Sequence, residues 1–158
     1  MTASPIGELG VGLDGAVVAG VSFRPPMMIS DPVEADRPLL EQACGELAEY
    51  FAGTRVSFDV PVAFRQGSDF ERAVWAEIAA IPYGETNSYG AIARAVGEPG
   101  GAQAVGLACN RNPLPIIVPC HRVIGSDGKL VGFGGGLGRK RFLLQLEARV
   151  HIERTFSP

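Results

Sequence analysis

Asn112-Pro113-Leu114-Pro115-Ile116-Ile117-Val118-Pro119-Cys120-His121-Arg122-Val123 is the stretch from which the rest of the chain is read. Each of its three prolines fixes φ and pushes the preceding residue out of the helical region, so the spacing predicts a rigid, extended, non-helical arm. The arm delivers Cys120, followed at once by His121 and Arg122. A thiol attacks as its thiolate, and nearby cations lower its pKa. Cys120 is therefore a candidate nucleophile, with His121 and Arg122 as the cations. Free cysteine is also among the most buried residue types, and only the flanking sequence separates the two roles.

Upstream of the arm, Gly101-Ala102-Gln103-Ala104-Val105-Gly106-Leu107-Ala108 reads as a short helix ending near Cys109. An earlier helix runs from Ser88 or Tyr89 to Val96, with Ile92, Ala93 and Val96 inward, and Gly97-Glu98-Pro99-Gly100 turns between them. Two short helices joined by a glycine-containing turn make a helix-turn-helix. Glycine does not favour helix, so the small residues of the second helix mark a close approach. The approach is either to another backbone of the protein or to a narrow DNA groove. Composition leaves both open.

Further upstream, Ser68-Asp69-Phe70-Glu71 fits a capping box, opening a helix with Phe70, Val74 and Ile78 on its apolar face that Pro82 ends. Downstream of the arm, Val131-Gly132-Phe133-Gly134-Gly135-Gly136-Leu137 is dense enough in glycine to expose backbone to a ligand. It lacks a P-loop ending and dinucleotide spacing. A last helix covers about 138–150, with Phe142, Leu143 and Leu146 inward, basic residues at its start, and Glu147 on or near the buried face.

The first 66 residues read differently. Leu9, Val11 and Leu13 alternate with glycine and glutamate before Asp14-Gly15, and an apolar run follows, which is a hairpin signal with both turn positions at positive φ. Residues 24–38 read as a loop, and 37–52 as a helix with Leu40, Ala43 and Leu47 at helical spacing and Gly53 as its C-cap. Phe58 to Val62 is a candidate edge strand because of Pro61. The fold class expected is α+β. Residues 1–66 form a small antiparallel sheet with one helix, and residues 68–158 form a mostly helical domain containing the helix-turn-helix.

Composition narrows the function classes. Apolar content of 46 % with 20 % charged residues suits a soluble globular chain. No apolar run approaches the roughly 20 residues that span a bilayer, and the opening residues lack a signal peptide's basic and apolar regions. Cys44, Cys109 and Cys120 are too few and too scattered for a disulfide framework, which points to a reducing, cytoplasmic compartment. The net charge of −3 is uneven. Residues 1–70 carry ten acids and four bases, whereas residues 71–158 carry seven acids and ten bases. The C-terminal half can thus offer a phosphate-binding surface.

A cysteine nucleophile needs a base and a group to orient that base. Of the two histidines, His121 adjoins the thiol and His151 lies near the C-terminus. Neighbours in an extended strand face opposite ways, so His121 would reach Cys120 through water unless the chain turns. Glu147 is the candidate carboxylate for the other ring nitrogen, or else an ordinary surface glutamate.

With these residues in view, the chain resembles the O6-alkylguanine-DNA alkyltransferases. The resemblance rests on Asn112-Pro113 with Pro119-Cys120-His121-Arg122-Val123, on Ile81-Pro82-Tyr83-Gly84-Glu85-Thr86, on Ser88-Tyr89-Gly90, on Gly134-Gly135-Gly136-Leu137 and on Leu143-Leu144-Gln145-Leu146-Glu147. It covers nearly all of residues 68–150, and more weakly Ser4-Pro5-Ile6-Gly7. It implies a single-turnover DNA repair transferase: Cys120 takes the alkyl group from guanine O6 and keeps it, after the damaged nucleotide has been flipped out of the duplex. His121 would act as base through water, Glu147 would orient it, and Asn112 would brace the turn before the cysteine. Tyr89 would meet the base and its phosphate. Ala102, Gln103 and Arg111 would touch DNA, and Val123, Phe133, Gly134 and Gly135 would form the base pocket. The partner implied is double-stranded DNA carrying O6-alkylguanine, met by a monomer with no cofactor. With one cysteine and no histidine in residues 1–66, no metal site is expected there.

One departure stands out. The family usually has arginine where this chain has Gln103. An uncharged finger implies weaker, less salt-dependent DNA binding than a Gln103→Arg variant would show. Three other functions share some of these features: a non-catalytic sensor of alkylated DNA, a cysteine hydrolase, and a regulator using the helix pair alone. The intact Cys120 speaks against the sensor. The hydrolase would need an oxyanion hole and a base on another segment.

Overall fold

The computed structural model describes residues 2–23, 33–128 and 135–156. The backbone gathers into two compact units, Met1–Arg65 and Gln66–Pro158. Among the described residues, no helix is long and apolar enough to cross a membrane.

In the first unit, β1 (Gly10–Asp14) and β2 (Val17–Ser22) pair antiparallel. The turn falls one residue later than the Asp-Gly signal suggests. Asp14 pairs with Val17, and of the turn residues Gly15 and Ala16 only Gly15 has positive φ, at 61°. Glycine at the first turn position alone is enough to reverse the chain with the strands' own twist. A single 3-10 turn, Glu34–Asp36, leads into α1 (Arg37–Phe51). Ala43, Leu47 and Tyr50 recur along one face of α1 and are buried with Leu9 and Val18. The expected edge strand at 58–62 is reduced to one parallel bridge, Val18 with Val62. There the Val18 amide donates to the Pro61 carbonyl, and Pro61, lacking an N–H, cannot continue the ladder.

The second unit is built on α2 (Asp69–Ala79), α3 (Tyr89–Ala95), α4 (Ala102–Asn110) and α5 (Leu137–Phe156). The capping box at Ser68 and Glu71 is formed in both directions. Trp75, buried behind α4, donates its indole N–H to the Ala108 carbonyl at 2.8 Å. That bond anchors α4 from the inside. Two short strands, β3 (Asn87–Ser88) and β4 (Val123–Ile124), pair in parallel. This small ladder sets the start of α3 beside the end of the cysteine arm.

Helix α5 differs from expectation in two respects. It continues six residues beyond Val150, through exposed residues with neither glycine nor proline to stop it. Its inward row is Lys140, Leu143, Leu146, Glu147 and Val150, whereas Phe142 points outward. The turn after α2 depends on Gly84, whose φ is 80° and where a Cβ would stand 2.9 Å from His151. A side chain there would be strained and would meet α5.

Candidate active site

The cysteine arm is not extended throughout. Between Leu114 and Val118 it makes a tight turn, in which the Val118 amide donates to the Leu114 carbonyl at 2.8 Å. At its centre Ile116, buried and β-branched, has φ of 75°. Left-handed backbone at such a residue costs about 1–3 kcal/mol and persists only where its surroundings enforce it. Asn112 does the enforcing. Its Nδ2 donates to the Val118 carbonyl at 2.9 Å, and its Oδ1 accepts from the Leu114 amide at 2.9 Å.

Cys120, His121 and Arg122 then form one 3-10 turn, all three buried. This corrects the extended geometry expected there: ψ of Pro119 is 64°, short of the extended range, and leads directly into the turn. A second correction concerns the cations. His121 and Arg122 are both bonded to Glu147 on α5, and neither is among the groups that pull the thiol down. Burial pushes the Cys120 thiol up to about 11, against the Asn112 side chain and the Lys140 charge, which pull it down. The resting residue is a protonated thiol, so reaction requires a base.

Glu147 accepts hydrogen bonds from His121, from Arg122 and from the backbone of the turn after α2. His121 Nε2 donates to Oε2 at 2.6 Å, Arg122 Nε to Oε1 at 2.7 Å, Arg122 Nη2 to Oε2 at 3.0 Å, and the Gly84 amide to Oε1 at 3.3 Å. Burial alone would raise this carboxyl, but the hydrogen bonds and charges of His121 and Arg122 outweigh it and bring Glu147 down to about 2. His121 moves the other way from a simple ion pair. Burial holds its pKa below the ordinary value, the Arg122 and Lys140 charges add to that, and the attraction of Glu147 does not overcome them.

A neutral imidazole beside an ionised carboxylate fixes the tautomer. Nε2 carries the proton that Glu147 accepts, and Nδ1 keeps the basic lone pair. Nδ1 is buried and has no hydrogen-bond partner among the described residues. Arg122 makes this possible: its guanidinium balances the Glu147 charge, so His121 need not become cationic. It is also held by the Ile81 carbonyl, which accepts from Nη1 at 2.6 Å.

Lys140 was not singled out from the sequence. It is fully buried, and its Nζ donates to the Val123 carbonyl at 2.6 Å and to the Tyr89 hydroxyl at 3.3 Å. Burial lowers its pKa, while the Cys109 and Cys120 thiols pull it back up. Tyr89 is itself raised by burial and by those two thiols, and stays a neutral phenol. Lys140 and Glu147 lie seven residues apart on one face of α5, a spacing visible in the sequence once Glu147 is placed inward.

The remaining candidates are more dispersed. Ala102 and Gln103 are exposed on α4. Arg111 is exposed and lies 3.7 Å from Glu71. The Val123 carbonyl is occupied by Lys140, and the Gly135 carbonyl accepts from Arg139 at 3.0 Å. Phe133 and Gly134 lie outside the described residues. Among the described residues no three potential metal ligands of the His, Cys, Asp or Glu type gather.

Fold and site together define a class: a protein whose buried thiol shares one turn with a carboxylate-held histidine, in a unit that also carries two short helices joined by a glycine-containing turn. Comparison with known proteins gives the family. Residues 69–149 match the model of the 6-O-methylguanine DNA methyltransferase, DNA binding domain. The methylated-DNA–protein-cysteine methyltransferase of Mycobacterium tuberculosis is 48 % identical over 149 residues, spanning 91 % of this chain and 88 % of that one. Its namesake from Methanosarcina acetivorans is 45 % identical over 91 % of this chain and 94 % of its own. The crystal structure of Mycobacterium tuberculosis OGT in complex with DNA superposes with a TM-score of 0.84 at 45 % identity, covering 94 % of this chain and 91 % of that one. The chain belongs to the 6-O-methylguanine DNA methyltransferase family.

Proposed function

We propose that this protein repairs DNA by moving an alkyl group from guanine O6 to its own Cys120, once per molecule. Sγ attacks the alkyl carbon in line as the bond from that carbon to O6 breaks. The thiol proton leaves through His121 Nδ1, with a bridging water, and the departing guanine takes up a proton to become the normal base. Atoms balance without any cofactor, and the thioether formed is not hydrolysed, so the protein is spent.

The observation that carries this mechanism is geometric: His121 is tied through Nε2 to Glu147 at 2.6 Å, its buried Nδ1 has no partner among the described residues, and it shares one turn with the buried Cys120 thiol. A resting thiolate would be open to oxidation, whereas a buried thiol beside a base is deprotonated only when substrate arrives. Tyr89 is a neutral phenol whose oxygen accepts from Lys140, and in this reading its hydroxyl serves the departing base. Asn112 positions the arm.

An O6-alkyl group within a duplex is out of reach of such a thiol, so the nucleotide must leave the stack, at a cost of a few kcal/mol that damage reduces. The small outward residues of α4 allow the backbone to approach a narrow groove, where Gln103 would stand in for the missing base. Arg94 and Arg111, exposed nearby in sequence, suit phosphate contact. Every side chain of this site comes from residues 66–158 of one chain, which supports action as a monomer. The need for a reduced thiol fits a reducing compartment such as the cytoplasm.

Intact-mass measurement after incubation with a duplex holding one O6-methylguanine tests the reading. One added methyl group, mapped to Cys120 and absent from Cys120→Ser, is expected. Methyl loss from DNA by Cys120→Ser, or many lesions cleared per molecule, would overturn it; an unchanged mass with tight binding would make the protein a sensor.

A further inference from the structure

The outward side of α4 departs from its own composition at one position. Ala102, Gln103 and Ala104 are exposed and Gly106 is half-buried, yet Leu107 stands 56 % exposed. It is the one large apolar side chain that α4 leaves in water, because Val105 is turned inward. Leu107 follows Gln103 by four residues, so the two are neighbours one turn apart on the helix surface.

Contacts on the inner side fix where this face lies. Ala108 is tied to Trp75 behind the helix. A Cβ on Gly106 would come 3.9 Å from the Tyr89 ring. Gly106 therefore looks toward the tyrosine proposed to meet the base, and Leu107 is the next residue, aimed at solvent from the same level of the helix.

A single exposed leucine is ordinary on a protein surface. Here its neighbours are residues small enough to let a backbone enter a narrow groove, and Leu107 would then be first to reach the stacked bases. Proteins that work in the minor groove push apolar side chains between base steps there, unstacking and kinking the duplex. We propose that Leu107 is an apolar wedge, inserted beside Gln103, that holds open the stack around the extruded nucleotide. The proposal rests on the DNA repair reading and adds a part to it. Gln103 supplies hydrogen bonds to the orphaned partner, and Leu107 supplies the apolar surface that an uncharged finger lacks. Neither releases counterions, so the wedge contributes nothing to the salt dependence of binding.

The test uses the full chain, its Leu107→Ala and Leu107→Met variants, and a duplex with one O6-methylguanine. Affinity is measured across a potassium chloride series, with the methyl-uptake rate at subsaturating DNA. Leu107→Ala should bind and react about tenfold more weakly, the loss expected from part of a leucine's burial. The slope of log affinity against log salt should be unchanged, and the thermal midpoint should stay within about 2 °C of the parent. Leu107→Met, of similar volume, should recover to within about twofold. Parent-like affinity and rate in Leu107→Ala would overturn the wedge. So would a shallower salt slope, which would mark the face as a phosphate contact, or a thermal loss large enough to account for the weaker binding. If the parent itself binds the duplex but takes up no methyl group, the repair reading fails, while affinity still decides the wedge.

Discussion

Glu46 in α1 and Glu147 in α5 are buried to nearly the same degree, 3 % and 1 % exposed, but different donors hold them. Glu46 accepts from the Asp59 and Val60 amides at 2.8 and 3.2 Å and from Gln42 Nε2 at 2.9 Å, with Arg55 more distant at 3.9 Å. Those amides cannot give up a proton, so the carboxylate only pins the 59–60 segment to α1. Glu147 is held by an imidazole and a guanidinium. One of its donors can exchange a proton and the other balances its charge. Burial with full hydrogen bonding is thus common to both sites, and the chemistry lies in whether a partner can titrate.

The largest effect should come from exchanging each carboxylate for its amide. Glu147→Gln leaves the Arg122 charge buried without its counterion and no longer holds His121 in one tautomer. Single-turnover methyl uptake should slow by about a hundredfold, within the range for loss of general-base assistance. Glu46→Gln should leave that rate within about twofold and cost about 1–3 kcal/mol in urea unfolding, as a buried hydrogen-bonding site is weakened. Equal slowing in both variants would abolish the distinction drawn between the two sites.

A smaller effect tests the division of labour around Glu147. Arg122 holds the His121 pKa down, so Arg122→Met should let that pKa rise. A more basic His121 is cationic at low pH and cannot take the thiol proton. The acid limb of the rate profile should therefore move to higher pH, with a greater loss at pH 6 than at pH 8.5. A uniform loss across pH would reduce Arg122 to a structural tie between Ile81 and α5.

Much of this architecture can be read from residue order. The capping box at Ser68 and the helices around Ile92 and Val105 follow from local rules, because capping and helical periodicity act within a few residues. The turn at Ile116 and the 3-10 turn at Cys120, by contrast, replace the extended arm that proline sterics suggested. The inward row of α5 could not be judged by hydrophobicity, since Lys140 and Glu147 occupy it while Phe142 faces out. Which partner Arg122 chooses depends on how α5 docks against a turn 25 residues earlier, and no local signal carries that. The burial that raises the Cys120 thiol is likewise a tertiary property, and residue order alone suggested the opposite shift.

The mildest prediction concerns acid stability. The His121 pKa is lowered in the folded state, so between its folded value and the ordinary 6.5 the unfolded chain binds more protons. The stabilisation is complete above pH 6.5 and declines as pH falls below it. Glu147, lowered from 4.5 to about 2, has the same sign in a lower window, intact above pH 4.5 and lost as pH approaches 2. Urea midpoints should therefore fall in two stages on acidification. His121→Gln removes the upper titration and keeps a hydrogen-bonding side chain, so its midpoint should be flatter between pH 6.5 and 4.5 while the lower stage remains. An undiminished upper slope in that variant would mean that His121 is already cationic in the folded protein. Glu147 would then be half of an ion pair, and the histidine could not serve as the base for the thiol.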